Sequence, residues 1–290
     1  MPMSDVSGQE AVVREVLPVV AARFADLVAR APAPGAMATR DWTVADTAAH
    51  VTAIAVRYTE VLAPGGAVPA GEFADHLPDT TVDTITELNN VTLRHFTERD
   101  PAVLATVLRS ATDTVVALTA DTDPKRIVPW LGGSRVPVGG VLAHLVNELL
   151  VHGWDVARAT GAPWPIPPRE AAPLFDLFIV GMIRNDVGHL LDGPPPDDRR
   201  IAVAFRSDHT APVTLVLHRG RVGVQEPGEP ADVRVSFDPA TLNLVLFGRV
   251  GRARAALTGK LRVTGRRPWL LPTFLRTVRL PTNAAPLPAG

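Results

Sequence analysis

The hydrophobic pattern of this chain changes period once, at Asp192-Gly-Pro-Pro-Pro-Asp-Asp198, and that change constrains the fold more than any other feature. Before it, apolar residues recur at three- and four-residue intervals, as on a helix; after it, they alternate, as on a half-buried strand. The two patterns bury their apolar faces in different ways and are separated by a Pro-rich break, so they predict two domains. The first is all-α, a four-helix bundle over 1–192. The second is a smaller α+β unit over 199–283. With 290 residues, 46% of them apolar, the chain can supply both cores.

In the first half, Val12, Val13, Val16, Leu17, Val20, Phe24, Leu27 and Val28 mark a helix from Gln9 to Arg30, with Pro18 a candidate kink. Thr43 and Asp46 have capping-box spacing and open a second helix, in which His50 lies two turns along beside core-facing positions. The Gly- and Pro-rich stretch Pro64–Pro78 reads as a loop bordering a pocket, with His76 solvated at its end. Helices follow from about Val82 to Arg99, where His95 has no assigned role, and from Pro101 to Ala120. Ile127–Pro137 reads as a loop whose Trp130 either lines a site mouth or plugs the core, the plug being favoured.

Gly139–Gly161 forms one helix, with Gly139 and Gly140 before it, Gly161 as its stop and Arg158 in its last turn. Ala162–Pro168 is a rigid connector, and a further helix runs from Arg169 to Leu191, with His189 structural near its end. Beyond the break, four strands are marked by Ile201/Val203/Phe205, Val213/Leu215/Leu217, Val222/Val224 and Val233/Val235/Phe237. Asp238-Pro239 starts a helix over 240–247, Arg252–Leu257 is a short helix, and Leu261 and Val263 make a final strand.

The chemistry concentrates on the 139–161 helix. At 100° per residue His144, Glu148, His152 and Asp155 fall within roughly 80° of one another, beside a wide apolar face. Glu148 and His152, four apart, are placed to grip one divalent ion, and a third ligand must come from elsewhere. It must offer nitrogen or oxygen, because the chain has no cysteine. The same pair also suits a half-exposed helix with no metal, and His50 suits a satisfied core position as well as a ligand role. Arginines crowd the second half, among them nine candidates: Arg219, Arg221, Arg234, Arg249, Arg252, Arg254, Arg262, Arg266 and Arg267. Most read as solvated; one or two could reach the helical half and grip a carboxylate bidentately.

A formal charge of −1 gives no electrostatic footprint for nucleic acid or an anionic membrane, so the expected partner is a small molecule. Without cysteine there is no disulfide and no internal thiol nucleophile, so any thiol chemistry uses an outside thiol. No secretory pattern opens the chain and no run of about eighteen apolar residues occurs in it, so it reads as soluble and cytoplasmic.

Trp42-Thr-Val-Ala-Asp46 followed by His50, with Asn147-Glu148-Leu-Leu-Val-His152-Gly-Trp-Asp155, resembles the maleylpyruvate isomerase family of mycothiol-dependent enzymes, which are DinB-like helical bundles. Ala231-Asp-Val-Arg-Val and Gly259-Lys-Leu-Arg-Val-Thr-Gly265 resemble the sterol-carrier-like domain often appended to that family. All basic residues except Lys125 and Lys260 are arginine, which resembles actinobacterial coding bias.

The resemblance implies that His50, Glu148 and His152 bind one divalent metal, usually zinc, leaving a position open. It implies that Asp155 orients His152 or shapes the site, while His144 touches the site or only the neighbouring helix. It further implies that mycothiol, deprotonated on the metal, adds to an electron-poor double bond; rotation and elimination then give the other geometrical isomer. A catalytic arginine, suspected in the C-terminal domain, would hold the substrate carboxylates. The alternatives are an S-transferase on the same metal site and a non-enzymatic ligand-binding protein.

Overall fold

The computed structural model describes residues 6–66, 71–193, 198–225 and 229–282. Its first half is a bundle of α1 (Val6–Ala29), α2 (Val44–Leu62), α5 (Pro101–Thr119) and α6 (Val138–Thr160), with α3 (Glu72–His76) and α4 (Ile85–His95) at the side of α2. The all-α first domain and the α+β second domain are as the periodicity predicts. The predicted break at 192–198 falls partly outside the described residues, which omit 194–197.

Local chemistry sets the helix ends. Thr43 and Asp46 close a reciprocal capping box at the start of α2, and the Asp100 side chain accepts from Ala102 and Val103 N–H at the start of α5. α1 runs unbroken through Pro18. α6 ends as predicted at Gly161, which adopts φ 70°. Its start differs from the expectation. Gly139 and Gly140 lie inside the helix, not before it, and the first free N–H groups of Val138 and Gly139 go to the carbonyls of Arg126 and Pro124. What Gly140 supplies is room: a Cβ there would stand 2.6 Å from the Leu177 carbonyl oxygen.

Several connections are more structured than predicted. Ile127–Pro137 is a small antiparallel hairpin of β1 (Ile127–Pro129) and β2 (Arg135–Pro137), and the 64–78 stretch contains α3. The helix expected over 169–191 becomes α7 (Pro168–Pro173), a π-helical turn at Leu174–Ile179 and α8 (Val180–Asn185). Pro173 has no N–H to give to the preceding turn, so the hydrogen-bond ladder slips there. α5 has the length and mean hydropathy of a membrane span, but Arg109 and Asp113 interrupt it, so it is no run of eighteen apolar residues; Leu104, Leu108 and Val115 pack it into the bundle core.

The segment 168–185 serves two cores at once. Leu174, Leu177, Phe178 and Met182 join the bundle core, whereas Phe175 and Val180 join that of the sheet. The sheet has the order β5-β4-β3-β6-β7, built from β3 (Ile201–Ser207), β4 (Thr210–His218), β5 (Arg221–Gln225), β6 (Val233–Phe237) and β7 (Leu261–Gly265). All pairings are antiparallel except β3 with β6. α9 (Pro239–Leu246), α10 (Arg252–Leu257) and α11 (Leu271–Thr277) complete the domain. The sequence does not predict α11, which brings fully buried Phe274 into the sheet core.

Two outcomes test this packing. In Gly140→Ala the new methyl meets a backbone carbonyl that cannot swing away, so urea unfolding is expected to show a loss of about 1–3 kcal/mol. Asp176, on the π-helical turn, accepts from Ala211 N–H across the domain junction at 3.1 Å, and burial pushes its carboxyl up to about 7. The folded chain thus holds a proton there that an unfolded aspartate releases above about pH 4, so stability falls as pH rises from there towards 7. Asp176→Asn is expected to flatten that decline in unfolding free energy measured against pH.

Candidate metal centre

α2 and α6 meet where His50 faces one turn of α6. The four-residue spacing of Glu148 and His152 puts both on that face. His50 Nε2 lies 3.4 Å and His152 Nε2 3.3 Å from the same Glu148 Oε2, and the three candidate ligand atoms lie within 4.8 Å of one another. All three residues are buried, at 5%, 8% and 6% exposure for His50, Glu148 and His152. Tetrahedral zinc with bonds of about 2.0–2.2 Å holds its ligands about 3.3–3.5 Å apart, so the donor set and the two spacings to Glu148 fit such an ion.

The protonation pattern suits ligation. Burial works against charge on Glu148, yet the contacts from His152 and His50 and the nearby His144 hold its carboxyl well below the usual range. Burial keeps His50 and His144 below the ordinary histidine value, hence neutral donors. His152 is the exception: burial pulls it down, but Asp155 and Glu148 outweigh that and raise it. His152 Nδ1 is 3.0 Å from Asp155 Oδ2, which leaves Nε2 directed at Glu148.

Asp155 is 1% exposed and receives a bidentate fork from Arg249, at 3.1 Å from Nε and 2.6 Å from Nη2. Burial alone would raise the Asp155 carboxyl; the bonds from His152 and Arg249 bring it below the ordinary value. Two arginines of the second half therefore reach the helical half, Arg249 on Asp155 and Arg279 on Asp83, and both carboxylates belong to the protein. Nothing local distinguishes Arg249 among the nine candidates; it follows the turn that ends α9, where its Nη1 also donates to Phe247 O at 2.8 Å.

His144 touches both the site and the neighbouring helix. Its Nε2 lies 3.5 Å from Glu148 Oε1 and its Nδ1 2.8 Å from the hydroxyl of Tyr58 on α2. The sequence reading passes over Tyr58, although it is the sole tyrosine and follows His50 by eight residues, within roughly 80° on the same helix face. Trp42 packs on His50 at a ring-centroid distance of 4.5 Å. The other histidines singled out in the sequence stand apart: His95 bonds exposed Glu72, His189 bonds Asp192 in solvent, and His76 is half-buried at the end of α3 instead of solvated.

The three candidate ligands line a cavity of about 660 Å³. Trp130 also lines it, packed on Tyr58, His144 and Phe178, so the site-mouth placement fits better than the favoured plug. Phe247, Arg249 and Leu280–Thr282 bring the C-terminal half to the same cavity.

Residues 17–157 match the family model described as "Mycothiol maleylpyruvate isomerase N-terminal domain", and residues 197–267 match the "SCP-2 sterol transfer family". No curated protein matches. Among solved structures, the chain is similar to a mutant and to another crystal structure of the mycothiol-dependent maleylpyruvate isomerase, at 15% and 13% identity. Each alignment covers 91% of this chain and 96% of the other, with a TM-score of 0.49. It is also similar to apo sterol carrier protein 2 from Yarrowia lipolytica, at 20% identity over 31% of this chain and 86% of that one, with a TM-score of 0.23. The family models carry the assignment: residues 17–157 belong to the mycothiol maleylpyruvate isomerase N-terminal family and residues 197–267 to the SCP-2 sterol transfer family, in the order the resemblance implies.

Proposed function

We propose that His50, Glu148 and His152 hold one divalent ion, zinc by preference, in an enzyme that uses mycothiol against an electrophilic double bond of a small-molecule substrate. The observation that carries this reading is the meeting of two imidazoles and one carboxylate within 4.8 Å, buried in the wall of a cavity. The family of residues 17–157 supports mycothiol as the thiol, and a chain without cysteine has to take its thiol from outside. Bound there, the ion and mycothiol together would supply a thiolate at neutral pH.

The chain's own residues do the positioning. Asp155 fixes His152 with Nε2 towards the ion, and Arg249 fixes Asp155 in turn. In this scheme the domain over 1–192 provides the reaction centre, and the domain over 199–283 steadies it through Arg249 and closes one side of the cavity through Phe247. Addition followed by elimination yields cis–trans isomerisation of the maleylpyruvate type. Addition that stops there yields S-transfer on the same site.

Elemental analysis of untagged protein is expected to find about one equivalent of zinc in the wild type and almost none in His50→Ala or Glu148→Ala. A wild type that takes no divalent ion when zinc is supplied overturns the proposal. His152→Ala is expected to lose thiol-dependent activity while keeping its far-UV circular dichroism, because a bundle with this core does not need the ion to fold. Arg249→Ala is expected to weaken zinc retention by about 10–100-fold in chelator competition, and Arg249→Lys to restore little of it, since an ammonium cannot reproduce the fork. Unchanged retention in both would limit Arg249 to holding the domains together.

A further inference from the structure

The cavity around the candidate metal centre also carries information about what enters it. Its volume of about 660 Å³ lies within the range of drug-sized ligand sites, room that mycothiol and the substrate would share, so the chemistry of the wall says more than its size. Much of its wall is aliphatic or aromatic, from Ile54, Val61, Leu88, Trp130, Leu131 and Phe178. Apart from the histidines, its lining among the described residues has two cationic side chains, Arg57 and Arg249, and no lysine. The Arg249 fork is given to Asp155 and its Nη1 to Phe247 O. The Arg57 guanidinium lies 3.2 Å from the centroid of the Phe73 ring, at the side of the cavity bordered by α3.

A compact dicarboxylate needs two desolvated anionic groups matched by fixed cations, and an unmatched charge in such surroundings is expensive. An extended apolar body instead gains from each part of this wall that it covers.

Resting on the metal-centre reading for the location of the reaction, we infer that the substrate is an electron-poor alkene carried on an extended apolar or aromatic body with at most one anionic group, which Arg57 receives. Arg57 is then the residue that sets charge preference, and Trp130 and Ile54 belong to the wall that sets preference for the apolar body.

Isothermal titration calorimetry on the full-length, zinc-supplied protein tests this with three probes. They are 4-phenylbut-3-en-2-one (neutral and aromatic), cinnamate (aromatic and singly charged) and maleate (compact and doubly charged). The expected result is that both aromatic probes bind at least about tenfold more tightly than maleate. Trp130→Ala is expected to weaken both aromatic probes severalfold with zinc content unchanged, and Ile54→Ala, a smaller truncation, to do so more mildly. Arg57→Gln is expected to weaken cinnamate and leave phenylbutenone unaffected. Maleate binding as tightly as the aromatic probes, or aromatic binding indifferent to Trp130 and Ile54 in folded variants, overturns the inference.

Zinc content measured on the same samples separates the two readings. Zinc-loaded protein that prefers maleate sinks the substrate class and leaves the metal centre standing. Protein without zinc that prefers phenylbutenone leaves the cavity preference standing and sinks the proposed reaction.

Discussion

The Arg249–Asp155 pair is the interaction on which the pose of the site depends, and it ties that site to the second domain. Both groups are almost fully buried, at 3% and 1% exposure, so neither can be solvated if the other is lost. Breaking such a pair by removing one partner typically costs about 3–5 kcal/mol, because a buried charge is left uncompensated. Bidentate geometry also fixes orientation, which a single point contact would not do. Asp155 therefore holds one position, His152 is held through its Nδ1, and the Nε2 atom facing Glu148 is fixed as a consequence. An element of the second domain determines the pose of a side chain on the first.

That coupling requires close approach of backbones, and glycine provides it at two places on α6. Gly140 admits the Leu177 carbonyl of the π-helical turn, and Gly153 admits the ring of Trp164, where a Cβ would stand 2.1 Å from the nearest ring atom. Trp164 Nε1 then donates to the Leu150 carbonyl at 2.9 Å, which seats the rigid 162–168 connector against α6. With α6 held on these sides, the segment 168–185 can turn Phe175 and Val180 towards the sheet while Leu174 and Phe178 stay with the bundle. The two cores share that segment, so the sheet domain does not hang from a free linker.

Much of this was legible in the sequence because it is periodic or local. The change of period at 192–198, the Thr43–Asp46 box and the Gly161 stop are short-range statements, and each element they predict is present. The Glu148–His152 pair was legible for the same reason. That His50 lies against it was not a matter of spacing, since nearly a hundred residues separate them; only the family resemblance joined the two segments. Arg249 is illegible among so many arginines because its partner lies across the domain junction. A helix-start glycine and a close-packing glycine look alike in sequence, so Gly139 and Gly140 read as preceding the helix that contains them. Aromatic bulk alone does not say which side of Trp130 is open, so it reads as a plug although it lines the cavity.

The same long-range geometry explains why His144, on the same stripe as Glu148 and His152, stands outside the ligand cluster. Burial and the negative Glu148 raise the Tyr58 phenol well above its ordinary value, so it keeps its proton. His144 Nδ1 lies 2.8 Å from that phenol, which turns Nε2 of the ring towards the carboxylate. Glu148 Oε1 faces His144 Nε2 at 3.5 Å, whereas Oε2 is the atom shared with His50 and His152. Tyr58 and His144 thus engage one carboxylate oxygen and leave the other to the cluster. A glutamate held in this way presents a single oxygen to His50 and His152, and two further residues on neighbouring helices set its aim.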